Sequence, residues 1–381
     1  MSKELKPLII VSLMSGTSCD SIDAGICEVF PDFSCKLIDG INYPYPKEIK
    51  ERIFNIFLKG ADLAEICKMN FIIGHCFAKA ANEIIEKNKN KNIKIDLISS
   101  HGQTIYHYPK ETKCANISEK STLQIGEPSV IAQETGHITI ANYRTADIAQ
   151  GGQGAPLVCF ADKKWFGNKG KNYAIQNIGG ISNVTVISDK CEVFGFDNGL
   201  GNIMIDYCSK KYFGEDYDKN GENASKGKID NNFLEYLLQD EYYFLPPPKT
   251  TGREYFSKEY MEIKLQKAPN NKFDIIATVT ALTAKNIVQS YERFIFDKTN
   301  IDEIILGGGG AYNLTLKRMI KDYLPKNILV KTHEDYGISN NFKEVMAFAL
   351  LGYCTYYKIP NNLPSCTGAK KEVIMGQISY P

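Results

Sequence analysis

The apolar positions of this chain follow two periods, and their alternation along the sequence outlines a fold. Residues 8–13 are apolar at all but one position over strand length, then meet the turn Met14-Ser15-Gly16-Thr17-Ser18. Residues 22–29 return as a second strand and 36–41 as a third. Helical spacing then takes over, across 47–58 and again across 63–87. In the second stretch Ile66, Met69, Ile73, Phe77, Ala80 and Ile84 recur every three or four positions. Residues 95–99 read as a strand that ends in a loop, His101-Gly102-Gln103-Thr104. The first third is therefore predicted as a β-β-β-α-β lobe.

The same order recurs later. Residues 173–178 form a predicted strand, Gly179-Gly180-Ile181-Ser182 a turn, and 183–187 and 193–196 further strands. A helix over 202–212 and a long one over 274–296 follow. The strand 303–306 then runs into Gly307-Gly308-Gly309-Gly310. The expected fold class is α/β: two related lobes of mixed β-sheet flanked by helices, of the ribonuclease H-like or actin-like ATPase type, with a cleft between them. The first lobe is expected over 1–139 plus 341–381, with the C-terminal helix 341–357 returning to it. The second lobe spans 140–340. Pro246-Pro247-Pro248 marks a stiff, non-helical excursion.

Bulk properties narrow the functional classes. A length of 381 residues suits about two domains. The formal net charge of +1 leaves no basic field for nucleic acid. The 11 cysteines form no CxxC pair, which fits a reducing compartment and argues against structural zinc. No apolar run approaches the roughly 20 residues that span a bilayer. The first apolar run is only strand length and does not read as a secretory signal. A cytoplasmic protein is expected.

Three Gly-rich turns stand at strand ends: Ser15–Ser18, Gly179–Ser182 and Gly307–Gly310. Such turns bind phosphates because their backbone N–H groups can converge without Cβ obstruction. None is a Walker loop or a GxGxxG between strand and helix. Their order, two hairpins followed by a strand-to-helix turn, resembles the sugar kinase, heat-shock ATPase and actin superfamily. That resemblance implies ATP held by Gly16, Thr17, Ser18, Cys19, Asp20, Ser21, Ile22 and Asp23 on one side. Gly179, Gly180 and Asn183 would hold it on the other, with Gly307, Gly308 and Gly309 beside the nucleoside. A carboxylate next to a triphosphate repels it unless Mg²⁺ intervenes. Asp20 and Asp197 are the candidate Mg²⁺ ligands.

The segment from Tyr143 to Leu157 carries Arg144, Asp147 and the turn Gly151-Gly152-Gln153-Gly154, just after a predicted strand over 138–141. Loops at strand ends commonly host chemistry, and Asp147 is the natural general base. An ion pair with Arg144 or a helix cap is the structural alternative. This segment resembles the DIAxGGQGAPL signature of anhydro-N-acetylmuramic acid kinases. The similarity extends through Met14–Asp20, Ser100–Thr104, Gln124–Ser129, Asn177–Asn183, Thr251–Glu254, Asn362–Ser365 and Thr367–Ala369. Two departures stand out: Ser21 where the family usually has Gly, and Asp197-Asn198-Gly199-Leu200-Gly201-Asn202 where it usually has DTGPGN. The lost Pro suggests altered loop stability or substrate fit.

The resemblance implies an ATP-dependent enzyme that opens the anhydro bridge of the sugar with water and phosphorylates the freed O6. It implies Asp147 as the base for that water. Gln103, Thr104, Glu127 and Arg144 are candidate sugar contacts. His101 and His107 read as structural or substrate-positioning groups, and Cys19 as a thiol with no strong cationic neighbour. Trp165 and Phe166 read as packing residues. A kinase of an ordinary hexose or amino sugar, or an ATPase switch without a small-molecule acceptor, are the competing readings. Loops at the rim could support a homodimer.

Overall fold

The structure is a computed structural model that describes residues 4–381 apart from Thr17, Ser18, Asn168, Arg253 and Glu254, and the side chain of Leu58. Two expected nucleotide contacts, Thr17 and Ser18, and half of the motif Thr251–Glu254 therefore lie outside the described residues. The chain forms two compact units. One comprises the segment up to Trp165 together with Gly337–Pro381, and the other Phe166–Tyr336. The division thus falls after Trp165. Residues 140–165, expected in the second lobe, belong to the first unit because strand Thr139–Ala141 pairs with its sheet.

The first unit starts with an antiparallel meander of β1 (Leu8–Ser15), β2 (Ser21–Val29) and β3 (Cys35–Pro44). Helices α1 (Lys47–Lys59) and α2 (Leu63–Lys87) follow. The Asp62 carboxylate caps α2 by accepting the Glu65 N–H at 2.7 Å. The face of α2 carrying Met69, Ile73, Phe77, Ala80 and Ile84 is buried against Val11, Leu13, Ala24 and Ile26. Strand β4 (Leu97–Cys114) runs parallel to β1, and β5 (Ile117–Ile125) returns antiparallel to it. After α3 (Pro128–Thr135), β6 (Thr139–Ala141) adds parallel to β4. Helices α4 (Tyr143–Ile148) and α5 (Val158–Phe166) come next.

One expectation fails here. His101–Thr104 is strand, not loop. The segment stays extended because it has neighbours on both sides, with Gln103 opposite Ser15 of β1 and Ile125 of β5.

In the second unit β7 (Tyr173–Ile178), β8 (Ile181–Ile187) and β9 (Phe194–Leu200) form the antiparallel meander. Helices α6 (Ile203–Phe213), α7 (Asn231–Leu238), α8 (Lys258–Leu265) and α9 (Lys272–Phe294) follow. Strand β10 (Glu303–Gly307) pairs parallel with β7. After α10 (Leu314–Tyr323), β11 (Leu329–Thr332) pairs parallel with β10. The sheets run 6-4-1-2-3 and 11-10-7-8-9, so each has the same five-strand plan with its first three strands as a hairpin meander. That is the repeated ribonuclease H-like order anticipated from the turns. The core of the second unit forms where α9 packs its Ile276, Val279, Leu282 and Ile287 with residues of the sheet and of α10.

The chain then returns to the first unit as α11 (Lys343–Tyr356), α12 (Pro364–Thr367) and β12 (Gln377–Ser379), which pairs with β6. Helix α11 packs on the sheet face opposite α2. Its seat is cut by two cross-strand partners, Gly25 and Gly40. A Cβ at Gly25 would stand 2.7 Å from Val345, and one at Gly40 2.6 Å from the Phe342 ring. Among the described residues no helix is long and apolar enough to cross a membrane.

Candidate active site

Asp147 sits in the last turn of α4, a helix end and not the loop expected. It is fully buried. One carboxylate oxygen accepts from Thr367 Oγ1 at 2.7 Å and Asn362 Nδ2 at 2.9 Å, and the other accepts the Gly154 N–H at 2.8 Å. The Asp147 carbonyl also accepts the N–H groups of Gln150 and Gly152, each at 3.0 Å. The Gly-Gly-Gln-Gly turn thus wraps around the carboxylate, and only glycine fits at 152. A Cβ there would stand 2.1 Å from Oδ2. The C-terminal segments Asn362–Ser365 and Thr367–Ala369 matter because they supply two of the three donors. Among the described residues no ion pair includes Asp147.

Arg144, three residues earlier, turns elsewhere. Its Nη1 donates to the Gly154 carbonyl at 3.0 Å, and Nη2 and Nε approach His101 Nε2 at 3.0 and 3.3 Å. An acceptor at Nε2 leaves Nδ1 to carry the proton, which it gives to the Gly102 carbonyl at 2.8 Å. Burial, with Arg144 adding to it, pushes His101 down to about 3. His101 is therefore neutral. Burial also lowers His107, again helped by Arg144.

The first turn is braced from below by Gln103. This residue is buried, and its Oε1 accepts from Ser15 Oγ at 2.7 Å while its Nε2 donates to the Gly16 carbonyl at 3.3 Å. Cys19 closes the turn at φ 50°, its N–H donating to the Gly16 carbonyl at 3.2 Å. Burial, reinforced by Asp20 and opposed by Lys50, pushes its thiol up to about 11, so the thiolate is suppressed. Asp20 forms an exposed pair with Lys50 at 2.5 Å. Ser21 donates to Asp23 at 3.0 Å, as does Asn42 from β3 at 2.6 Å, and Ile22 is a core residue. Thr104 accepts from Gln124 at 3.2 Å. Glu127 caps α3 through the Ser129 N–H and is held by Asn70 at 3.1 Å. With Asn70, Leu123, Gln124 and Asn142 it lines a cavity of about 300 Å³. Gln103 and Glu127 thus already bind neighbours, Gln103 bracing the turn after β1 and Glu127 the start of α3.

In the second unit the two remaining turns converge. Gly307 lies opposite Asn177 at the ends of β10 and β7. The Gly179 and Gly180 carbonyls accept the N–H groups of Asn202 at 2.7 Å and Gly201 at 2.9 Å, which anchors the start of α6 beneath the hairpin. A Cβ at Gly201 would stand 2.3 Å from the Gly179 carbonyl oxygen. Gly308 has φ +73°, and a Cβ there would stand 2.7 Å from both Asn177 Oδ1 and the Ile178 carbonyl. Gly309 is more open, with Asn202 Nδ2 at 3.6 Å. Asn177, Asn183 and Asp197 are successive cross-strand partners on β7, β8 and β9, so they share one face of the sheet. Asp197 also accepts the Thr251 N–H at 2.9 Å. Asn177 and Asn202 stand in segments the sequence singles out, Asn177–Asn183 and Asp197–Asn202, but were given no role of their own there.

The family model for anhydro-N-acetylmuramic acid kinase matches residues 8–381. The chain belongs to that family. It is 45% identical over 383 residues to the anhydro-N-acetylmuramic acid kinase of Caldanaerobacter subterraneus subsp. tengcongensis, covering 97% of this chain and 96% of that one. It is 44% identical over 377 residues to the Clostridioides difficile protein of the same name, with 97% of each covered. Membership makes it an amino-sugar kinase, for which ATP is the phosphoryl donor. At Gly201 and Gly308 a Cβ would overlap atoms of the neighbouring segments, so these turns pack this closely only with glycine.

Proposed function

We propose that this kinase joins two reactions on 1,6-anhydro-N-acetylmuramic acid: hydrolytic opening of the internal bridge and phosphorylation of O6. The product is N-acetylmuramic acid 6-phosphate, which places the enzyme in the recycling of cell-wall sugar. Water attacks C1, its proton passes to Asp147, and the C1–O6 bond breaks. O6 takes the γ-phosphoryl group, and ADP leaves. Because the phosphoryl group captures O6, no separate acid is needed, unlike an ordinary glycosidase. Arg144 meets an anionic group of the reactants, and Gln103, Thr104 and Glu127 shape the sugar side. The turns at Gly16 and Cys19, at Gly179 and Gly180, and at Gly307–Gly309 hold the nucleotide. Mg²⁺, when bound, would offset triphosphate charge. Asp197, in line with two amides, suits it better than Asp20, which Lys50 already neutralises.

The observation that carries this reading is the environment of Asp147. Its carboxylate is fully buried and is held by three neutral donors, Thr367, Asn362 and the Gly154 N–H, with no ion pair among the described residues. A purely structural role would be met more cheaply by a neutral group.

The test uses water labelled with heavy oxygen, ATP and the anhydro sugar. Label at C1 with phosphate on O6 is expected, and phosphate without label would refute the coupled reaction. In Asp147→Asn, kcat is expected to fall about 10²–10⁴-fold. Donors face both oxygens, so the new amide NH₂ opposes a donor either way, at a cost of about 1–3 kcal/mol in stability. Undiminished turnover would remove Asp147 from the base role.

A further inference from the structure

The part-buried guanidinium of Arg144 is unusual for what it lacks. Three of its N–H groups are committed, and every acceptor is uncharged: the His101 imidazole and the Gly154 carbonyl. Among the described residues no carboxylate comes within 4.0 Å of the guanidinium. Glu344 acts on it only at longer range. A buried guanidinium ordinarily recruits a carboxylate, because an unpaired charge away from water is costly. Here the position where such a partner would stand is filled by His101. This ring is itself fixed by the Gly102 carbonyl and by the Phe348 ring, whose centroid lies 4.9 Å away.

We infer that His101 is a positioning residue that orients Arg144 without spending its charge, so that the guanidinium keeps two N–H groups and a full positive charge for an oxyanion of the reactants. This rests on the reading of Arg144 as a reactant contact and adds to it the residue that makes the contact possible. A carboxylate at 101 would hold Arg144 equally well and neutralise it. An apolar residue would leave both its charge and its orientation free. Only a neutral acceptor does what the site requires. The oxyanion has two possible sources, the carboxylate of the acidic sugar and the transferring phosphoryl group.

The experiment measures steady-state kinetics for His101→Gln, His101→Glu, His101→Leu and Arg144→Gln. The acceptors are the acidic anhydro sugar and its counterpart lacking the carboxylate-bearing ether. The Gln amide places an oxygen near the position of Nε2 and is expected to keep kcat/KM within about threefold. Leu is expected to lose at least about tenfold, and Glu about 30-fold or more, each at a temperature where the variant is folded. If the sugar carboxylate is the partner, the Glu variant raises KM for the acidic sugar and leaves the neutral one unchanged. If the phosphoryl group is the partner, kcat falls alike for both sugars. Should Arg144→Gln be impaired while Glu, Gln and Leu at 101 behave alike, the role of His101 is overturned and that of Arg144 stands. If Arg144→Gln itself is unimpaired, the underlying reading of Arg144 fails. The Leu and Gln pair decides the matter even if the Glu variant does not fold.

Discussion

A single methyl group at position 152 is expected to disable the site by moving one carboxylate. On the existing backbone the Cβ of Gly152→Ala would stand 2.1 Å from Asp147 Oδ2, 2.7 Å from Cγ and 2.9 Å from the Asp147 carbonyl oxygen. Ordinary contact requires more than 3 Å, so the carboxylate must retreat by about 1 Å. The turn cannot yield instead. Its N–H groups at 150 and 152 are bound to the Asp147 carbonyl, and that at 153 to the Thr367 carbonyl at 2.8 Å. Overpacking costs about 1–3 kcal/mol. Loss of the Gly154 N–H bond to the charged oxygen adds about 1.5–3 kcal/mol. A displacement of that size in a reacting group costs on the order of 10²-fold in rate. The assay pairs urea unfolding with kcat at saturating ATP and sugar. Gly151→Ala is the control, since its Cβ would meet only the Lys370 side chain at 3.5 Å, although φ +78° strains it. That strain is about 1–2 kcal/mol, and kcat should stay near wild type. A Gly152→Ala enzyme with wild-type kcat and stability would show that the turn does not set the position of Asp147.

Three further outcomes follow from the same geometry. Gly201→Ala puts a Cβ 2.3 Å from the Gly179 carbonyl, a backbone atom, and should weaken nucleotide binding at least about tenfold by calorimetry; unchanged affinity would show that this apposition does not shape the nucleotide site. His101 has a folded pKa of about 3 against an ordinary 6.5, so the stability it contributes is complete above pH 6.5 and is lost as pH falls toward 3. Between pH 6.5 and 5 that loss is about 1.6 kcal/mol, and urea midpoints for His101→Gln should fall correspondingly less over that window. Asn198→Thr restores the family's usual residue but gives up contacts to Gln176 at 2.9 Å and Ser290 at 2.6 Å. It should cost about 1–3 kcal/mol, and a midpoint equal to wild type would refute that.

The meanders, the long helices α2 and α9, and the repeated strand order were legible because buried faces impose a period on the sequence. The β4–β5 hairpin was not, because residues 106–123 are largely solvent-exposed on both faces and carry no apolar alternation. Helix α4 was hidden for another reason. It has six residues, too few for a helical period, and begins after Asn142 in a left-handed conformation. Asp147 was singled out in the sequence through its Gly-rich neighbours. Its surroundings were not, since Asn362 and Thr367 lie more than 200 positions away. The same holds for His101 and Arg144, 43 positions apart. Spacing along a chain reveals partners on one element, but not partners that the sheet brings together.

The Asp197–Asn202 stretch shows how a local departure can be absorbed. Without the usual Pro the turn would be expected to loosen. Yet Asp197–Leu200 is the end of β9, where Leu200 is buried and opposite Ile181. The Ser182 hydroxyl donates to the Leu200 carbonyl at 3.2 Å, and Thr283 of α9 donates to the Gly201 carbonyl at 2.8 Å. Asn198 is buried between Gln176 and Ser290, and Asn286 donates to its carbonyl at 3.0 Å. Tyr291 completes the network by donating to Gln176 at 2.6 Å. Stiffness that a proline ring would build into the backbone is supplied here by hydrogen bonds, four of them from α9 side chains or to them. A ring constraint is independent of its surroundings, whereas these bonds hold only while α9 stays in register with β9. In this chain the glycine cradle beneath the second hairpin is therefore tied to the helix that forms the core of its unit. Core substitutions on α9 should accordingly reach the turns Gly179–Ser182 and Gly307–Gly310 without touching them.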